Sequence, residues 1–434
     1  MSNPTFSITA RDPKTRARTG VLSTKHGIVQ TPSYVMVATN AYIRTLKPRD
    51  LKKLGIQIVI SNTYHLWDKA PKSNPLRQSF SEASKRQAIS DKKTFLLKKL
   101  GVRMPTMTDS GGFQVFSFGA AREHNVGKVL SRERRKPTEK SLITIKEKGV
   151  DFLLDGKKRF LSPEISMDIQ ERLGADIIFA FDECTSPLHS FKHNKESLER
   201  TNRWALRCLK AHKRTDQLLF GIVQGGRFNS LRTKSAKEIG AMPFGGFGIG
   251  GSFGKDEMRE KLEVVIPYLP DEKPRHLLGI GRVEDIFIAV ENGIDTFDCV
   301  IPTREGRHGR IWTKNGHYDI RRGKYKTSKK ILESGCKCPV CIAGVTQSKV
   351  HGLFKSPTTA KSTTEILPPS APRAKAGRYA TIHNIWFFNN LLREIRASIK
   401  RGKFKEFKDG YLKKYERAPS SAHRPATLIQ ITEP

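Results

Sequence analysis

The chain is short of acids for the bases it carries: 42 Asp and Glu stand against 79 Lys and Arg in 434 residues, a net charge of +37. A pI near 10.1 follows, and such a chain should seek a large polyanion, nucleic acid before an anionic membrane. Two further absences weigh against the membrane. No apolar run approaches the ~20 residues of a spanning helix, and no basic amphipathic helix stands out. The opening stretch, MSNPTFSITARDPKTRARTG, has no apolar signal-peptide core, so a cytoplasmic location is expected. Cysteine is scarce, and Cys336, Cys338 and Cys341 are bunched while Cys184, Cys208 and Cys299 are scattered. That is metal spacing and no disulfide framework. A GxGxxG opening a helix after the first strand is also missing, and Gly279-Ile280-Gly281 comes late and without a third glycine.

What is present is an alternation. Short β-rich runs at 55–61, 175–181, 217–223, 244–250, 275–281 and 294–300 are separated by helical spacings such as Ile165, Ile169, Leu173; Met258, Leu262, Val265, Leu269; and Ile286, Ala289, Val290. Strand, helix, strand in series predicts parallel strands with right-handed crossovers. Polar and glycine residues gather past the strand ends: Asn62 to His65, Asp109 to Gly112, Asp182-Glu183, Gln224 to Gly226, Gly250-Gly251 and Asp298. An active site at the carboxyl end of a (β/α)-barrel requires that arrangement. An open doubly wound sheet is the alternative that periodicity leaves standing.

Two stretches carry chemistry. In Gly293 to Arg310, Asp298 lies among Ile294, Phe297, Val300 and Ile301, and Arg304, Arg307 and Arg310 follow. A carboxylate in an apolar run must be paired, neutralised or put to use, and arginines beside it suit phosphates. The Cys336, Cys338, Cys341 cluster supplies three thiolates, and a tetrahedral site needs one more donor, with His351 or His383 downstream. Four protein ligands leave no open position, so the metal would be structural. His383 heads the helical run HNIWFFNNLLREI. Segments 73–99, 122–148 and 356–372 read as basic insertions or linker, and with 400–405 and 408–414 could widen a basic footprint.

The strings TDSGGFQVFSF at 108–118, ADIIFAFDEC at 175–184, GIVQGG at 221–226, DTFDCVIPTREGR at 295–307, CKCPVC at 336–341 and TIHN at 381–384 resemble the tRNA-guanine transglycosylases, in order and over about Gly20 to Phe407. The resemblance implies an α/β fold, a (β/α)8 TIM barrel with an inserted zinc-binding subdomain near the C-terminus. The expected division is a barrel over 1–320, a zinc subdomain over 321–383, a closing helix over 384–416 and a tail over 417–434. It implies an enzyme that exchanges guanine at the anticodon wobble position of tRNA for a 7-deazaguanine base, queuine or its aminomethyl precursor. Asp298 would be the nucleophile on the ribose and Asp109 the proton acceptor. The base would be bound by Asp109, Ser110, Gly111, Gly112, Phe113, Asp182, Gln224, Gly251 and Leu278. RNA contacts fall on Gly279, Ile280, Gly281, Arg282, Val283, Glu284 and Asp285, and on Thr303, Arg304, Glu305, Gly306 and Arg307. One structural Zn2+ would be held by Cys336, Cys338, Cys341 and His383, which selects His383 over His351. A homodimer is expected, with a heterodimer open.

Departures bound what carries over. Leu278 replaces the methionine of many members; both are apolar side chains able to stack on the ring. Gly254 resembles enzymes with room for queuine, whereas Cys184 resembles the precursor-using pattern. Alternatives are a relative acting on the archaeosine position or on DNA, and a non-catalytic zinc-containing tRNA-binding subunit. Retention of both Asp109 and Asp298 speaks against the last.

Overall fold

In a computed structural model the chain is described over residues 4–71, 94–116, 143–154, 157–250, 257–357 and 370–416. Most of segments 73–99, 122–148 and 356–372, the tail 417–434, Gly251 and Gly254 lie outside these residues. The described ends of two of those segments are regular. Thr94 caps a helix at Phe95–Leu100, and residues 143–146 enter a small sheet.

The chain opens with an antiparallel meander, β1 (Thr5–Arg11), β2 (Arg18–Thr24) and β3 (Gly27–Thr31). Three barrel strands follow, β4 (Ser33–Val37), β5 (Val59–Ser61) and β6 (Thr106–Thr108). A second antiparallel sheet, β7 (Ile143–Lys146), β8 (Gly149–Leu154) and β9 (Lys157–Leu161), interrupts them. Then come β10 (Ile177–Phe179), β11 (Leu218–Val223), β12 (Gly246–Ile249), β13 (Arg275–Leu277) and β14 (Thr296–Cys299), and a hairpin of β15 (Arg310–Thr313) and β16 (Gly316–Asp319).

The eight strands β4–β6 and β10–β14 are parallel and close on themselves where β14 pairs with β4 and β10 with β6. The barrel expectation holds and the open-sheet alternative falls. Closure buries both faces of each strand, which is why the strands read as continuous apolar runs. Inside, Val35, Ile60, Met107, Ile177, Phe179, Phe220 and Ile222 form one cluster with Leu22 and Val29 of the meander, which therefore covers the amino-terminal end. A much larger cluster packs the surrounding helices.

The spacings Ile165 to Leu173, Met258 to Val265 and Ile286 to Val290 fall in helices Pro163–Leu173, Met258–Val265 and Val283–Glu291. His383 does not head its helix. It lies midway along Pro372–Lys400, which runs unbroken through the expected division at 383. No helix of the described residues is long and apolar enough to cross a membrane.

Candidate active site and metal centre

The carboxyl ends of the strands bring four of the expected side chains into one bowl. Asp298 projects from β14, and its Oδ1 meets His276 Nε2 at 3.1 Å and the Gly279 amide at 3.3 Å. His276, on the neighbouring β13, is fully buried and held from the other side by Thr296 Oγ1, 2.9 Å from its Nδ1. The imidazole thus fixes one oxygen of Asp298, and among the described residues no hydrogen bond reaches the other.

Asp109 follows β6. Its Oδ1 accepts from the amides of Thr63 (2.9 Å) and Gly111 (3.1 Å), and its Oδ2 from Asn62 Nδ2 (2.5 Å). Burial nevertheless drives its pKa up to about 7, with the Asp298 charge adding to the rise against those hydrogen bonds. A carboxyl poised near neutrality can give and take a proton at working pH.

Asp182, past β10, accepts from Gln224 Nε2 at 2.5 Å and from Ser110 Oγ at 3.4 Å. Burial raises it to about 6 against those two bonds. Gln224 Oε1 is buried without a partner among the described residues, an acceptor that a buried site leaves empty only at a cost. Gly112 approaches so closely that a Cβ would sit 2.9 Å from the Asp182 carbonyl oxygen, so a larger residue would displace the floor of this corner. Phe113 is 60% exposed at the rim, and Leu278 packs on the barrel-interior cluster. Together these groups offer a free carboxylate oxygen, a titrating carboxyl and a paired acid and amide, a set able to bind a polar heterocycle edge-on and transfer a glycosyl group. Cys299 is no competing nucleophile: burial, with the Asp298 charge adding, pushes its thiol up to about 11.

The cysteine cluster folds into one corner. Ligand atoms of Cys336, Cys338, Cys341 and His383 lie within 4.8 Å of one another and could hold a metal. His383 Nδ1 stands 3.7, 3.6 and 3.6 Å from the three sulfurs. Its Nε2 donates to the Trp312 carbonyl at 2.8 Å, which fixes the tautomer and turns the Nδ1 lone pair toward the sulfurs. His351 is elsewhere, its Nδ1 against the Ile320 carbonyl at 2.9 Å.

The family model for queuine tRNA-ribosyltransferase matches residues 12–417. The chain belongs to that family. Among its relatives, the queuine tRNA-ribosyltransferase of Halothermothrix orenii is 39% identical over 415 residues, covering 94% of this chain and 97% of its own. That of Pelotomaculum thermopropionicum is 38% identical over 416 residues, covering 95% and 98%. That of Halalkalibacterium halodurans is 38% identical over 421 residues, covering 96% and 97%.

Of the segments expected to touch RNA, the side chains of Val283, Asp285 and Thr303 are buried, leaving Arg282, Arg304 and Arg307 as partly exposed cations. Arg307 is lowered to about 10, by burial first and then by the charges of Arg44 and Arg304, so it remains a cation at neutrality. The basic footprint at 400–414 is partly neutralised within the chain: Lys405 meets Asp409 at 3.2 Å, and Lys408 pairs with Glu291. Sequence reasoning missed His276, for which a histidine in the otherwise apolar run at 276–278 was a usable sign.

Proposed function

We propose that the chain is a tRNA-guanine transglycosylase that exchanges guanine at the anticodon wobble position for queuine or its aminomethyl precursor. The observation that carries this reading is the bowl itself, with Asp298, Asp109 and the Asp182–Gln224 pair at the carboxyl end of a barrel belonging to this family. The free oxygen of Asp298 attacks the ribose C1′, forming a C1′–O ester as the bond to guanine N9 breaks. Asp109 supplies a proton to the departing guanine and takes one from N9 of the incoming deazaguanine. That nitrogen then displaces the ester, and two inversions give retention.

Asp182 accepts from the ring N–H and exocyclic amine of the base, while the second Gln224 N–H, the one not spent on Asp182, faces the carbonyl oxygen. His276 holds Asp298 in line through 3.1 Å.

The Cys3His tetrad suits zinc: tetrahedral bonds of about 2.3 Å to sulfur and 2.05 Å to nitrogen put N and S roughly 3.6 Å apart, as His383 Nδ1 and the sulfurs are. Zinc there would pin the cysteine loop to the Pro372–Lys400 helix and take no part in the transfer. A homodimer working on tRNA in the cytoplasm completes the reading.

Exchange of labelled guanine into bulk tRNA tests it, with queuine and the precursor as competitors to identify the base. No exchange by the purified chain, alone or with a partner, would overturn it.

A further inference from the structure

We propose that Ser166 and Gln170, one turn apart on the helix Pro163–Leu173, are positioning residues for the base pocket, holding the Asp109–Ser110 turn and the segment from Phe179 to Asp182 at a fixed separation. The inference rests on the base-binding function above.

The need for such a device lies in the barrel. The ladder between β6 and β10 ends with Thr108 opposite Ile178, and each backbone then runs on to its acid, Asp109 or Asp182, without the other's support. Two carbonyls past the end of the ladder are taken by the helix instead. Gln170 Nε2 donates to the Phe179 carbonyl at 2.9 Å, and Ser166 Oγ donates to the Ser110 carbonyl at 2.8 Å. The other Nε2 proton reaches Ser166 Oγ at 3.1 Å, which joins the two links into one chain. Gln170 Oε1 accepts from the Phe179 amide at 3.1 Å and the Thr108 hydroxyl at 3.0 Å, so the carboxamide uses both donors and both lone pairs and has one orientation. Ser166, Gln170 and Thr108 are fully buried, where an unmade hydrogen bond costs most. Helix residues four apart share a face, and the start of this helix is pinned by Pro163 in its first turn and by Ser162 Oγ, which accepts from the Ile165 amide at 3.3 Å.

The consequence appears on the other side of the turn. The Ser110 hydroxyl donates to Asp182 Oδ1 at 3.4 Å and accepts from the Gly112 amide at 3.3 Å, while the Gly111 amide donates to Asp109 Oδ1 at 3.1 Å. Ser110 therefore meets the helix through its carbonyl and Asp182 through its side chain, and holding the first aims the second. Burial raises Asp182, and Gln224 and then the Ser110 hydroxyl oppose the rise. A turn released by the helix would lose that contact, shift Asp109 with it, and leave Asp182 harder to ionise.

The test is calorimetric titration of the full chain with guanine at pH 8 and pH 6, beside urea unfolding. Ser166→Ala removes only the hydroxyl. It should weaken guanine binding about tenfold at pH 8, the worth of one neutral hydrogen bond. At pH 6 the loss should be about threefold larger again, because Asp182 without its Ser110 donor keeps its proton. Gln170→Met, of similar size, should act in the same direction, and the double variant should lose little more than the worse single one because both cut one chain. The parent's Kd at both pH values in Ser166→Ala and Gln170→Met would overturn the proposal, even with lowered urea midpoints, since the two side chains would then only support the fold. So would losses that multiply in the double variant, or a Ser166→Ala loss equal at the two pH values. A parent chain that binds guanine yet exchanges none into tRNA would remove the enzyme reading and leave the titration valid.

Discussion

Strands β10 and β14 each carry one aspartate at their start and another at or past their far end, and the two ends of the barrel treat them oppositely. At the amino-terminal end Asp176 accepts from the Thr106 amide (2.9 Å) and hydroxyl (3.1 Å) and from the His26 amide (3.2 Å) and ring (2.8 Å). Asp295 takes the Arg18 guanidinium on both oxygens, at 3.0 and 2.6 Å, and the Arg275 amide at 2.8 Å. At the carboxyl end Asp182 has one good donor and one long one, and Asp298 has an imidazole and a long amide contact. The lower acids are saturated, so they lock the meander to the barrel. Asp182 and Asp298 keep lone pairs for a ligand, and burial holds Asp182 and Asp109 above the ordinary carboxylate range. On the reading proposed above, one fold gives the same residue type to stability at one end and to chemistry at the other.

The largest expected effect breaks the comparison at its upper end. Asp298→Asn should bring guanine exchange below detection and abolish the covalent tRNA adduct on denaturing gels when the replacement base is withheld, with the urea midpoint unchanged. An adduct that survives removes Asp298 from the role. At the lower end Asp295→Ala takes from Arg18, whose side chain is only 1% exposed, its buried two-oxygen partner and leaves it the half-exposed Asp271 carboxylate at 2.9 Å and backbone carbonyls. A loss of about 3–5 kcal/mol in urea unfolding is expected, with the exchange rate per folded molecule retained. If exchange collapses while stability holds, the two ends are not divided as described.

The barrel and its upper acids were legible in advance, whereas the lower acids Asp176 and Asp295 were not. Six barrel strands announce themselves as apolar runs because closure buries both faces. The other two did not: β6 is only Thr106-Met107-Thr108, polar in two of three positions, and β4 starts just after Pro32. The upper acids were readable because each follows a strand. Their saturation or want of it was not, since His276 and Asp298 are 22 residues apart and meet only through neighbouring strands. Spacing alone left His351 and His383 equal as ligands. The long helix decides between them, carrying His383 to the sulfurs while His351 is spent on the Ile320 carbonyl.

The subtlest contrast is one of pH. The Asp182 carboxyl is raised to about 6 by burial, from roughly 3.9 in an unfolded chain. Between those values the folded chain keeps a proton that the unfolded chain releases, so unfolding free energy falls as pH rises through the window and is fully reduced above it. Asp182→Asn removes that ionisation, and Gln224 can turn its unpartnered Oε1 to the new amide. The variant should therefore be more stable than the parent by about 1–3 kcal/mol at pH 8, with the gain vanishing near pH 4, while guanine binding is lost. The same change at Asp176, where four donors need acceptors, should cost stability at both pH values. Urea unfolding of both variants at the two pH values measures the contrast directly. Equal behaviour would mean that the upper acid is as well satisfied as the lower, and that the charge in the bowl is not held at the expense of the fold.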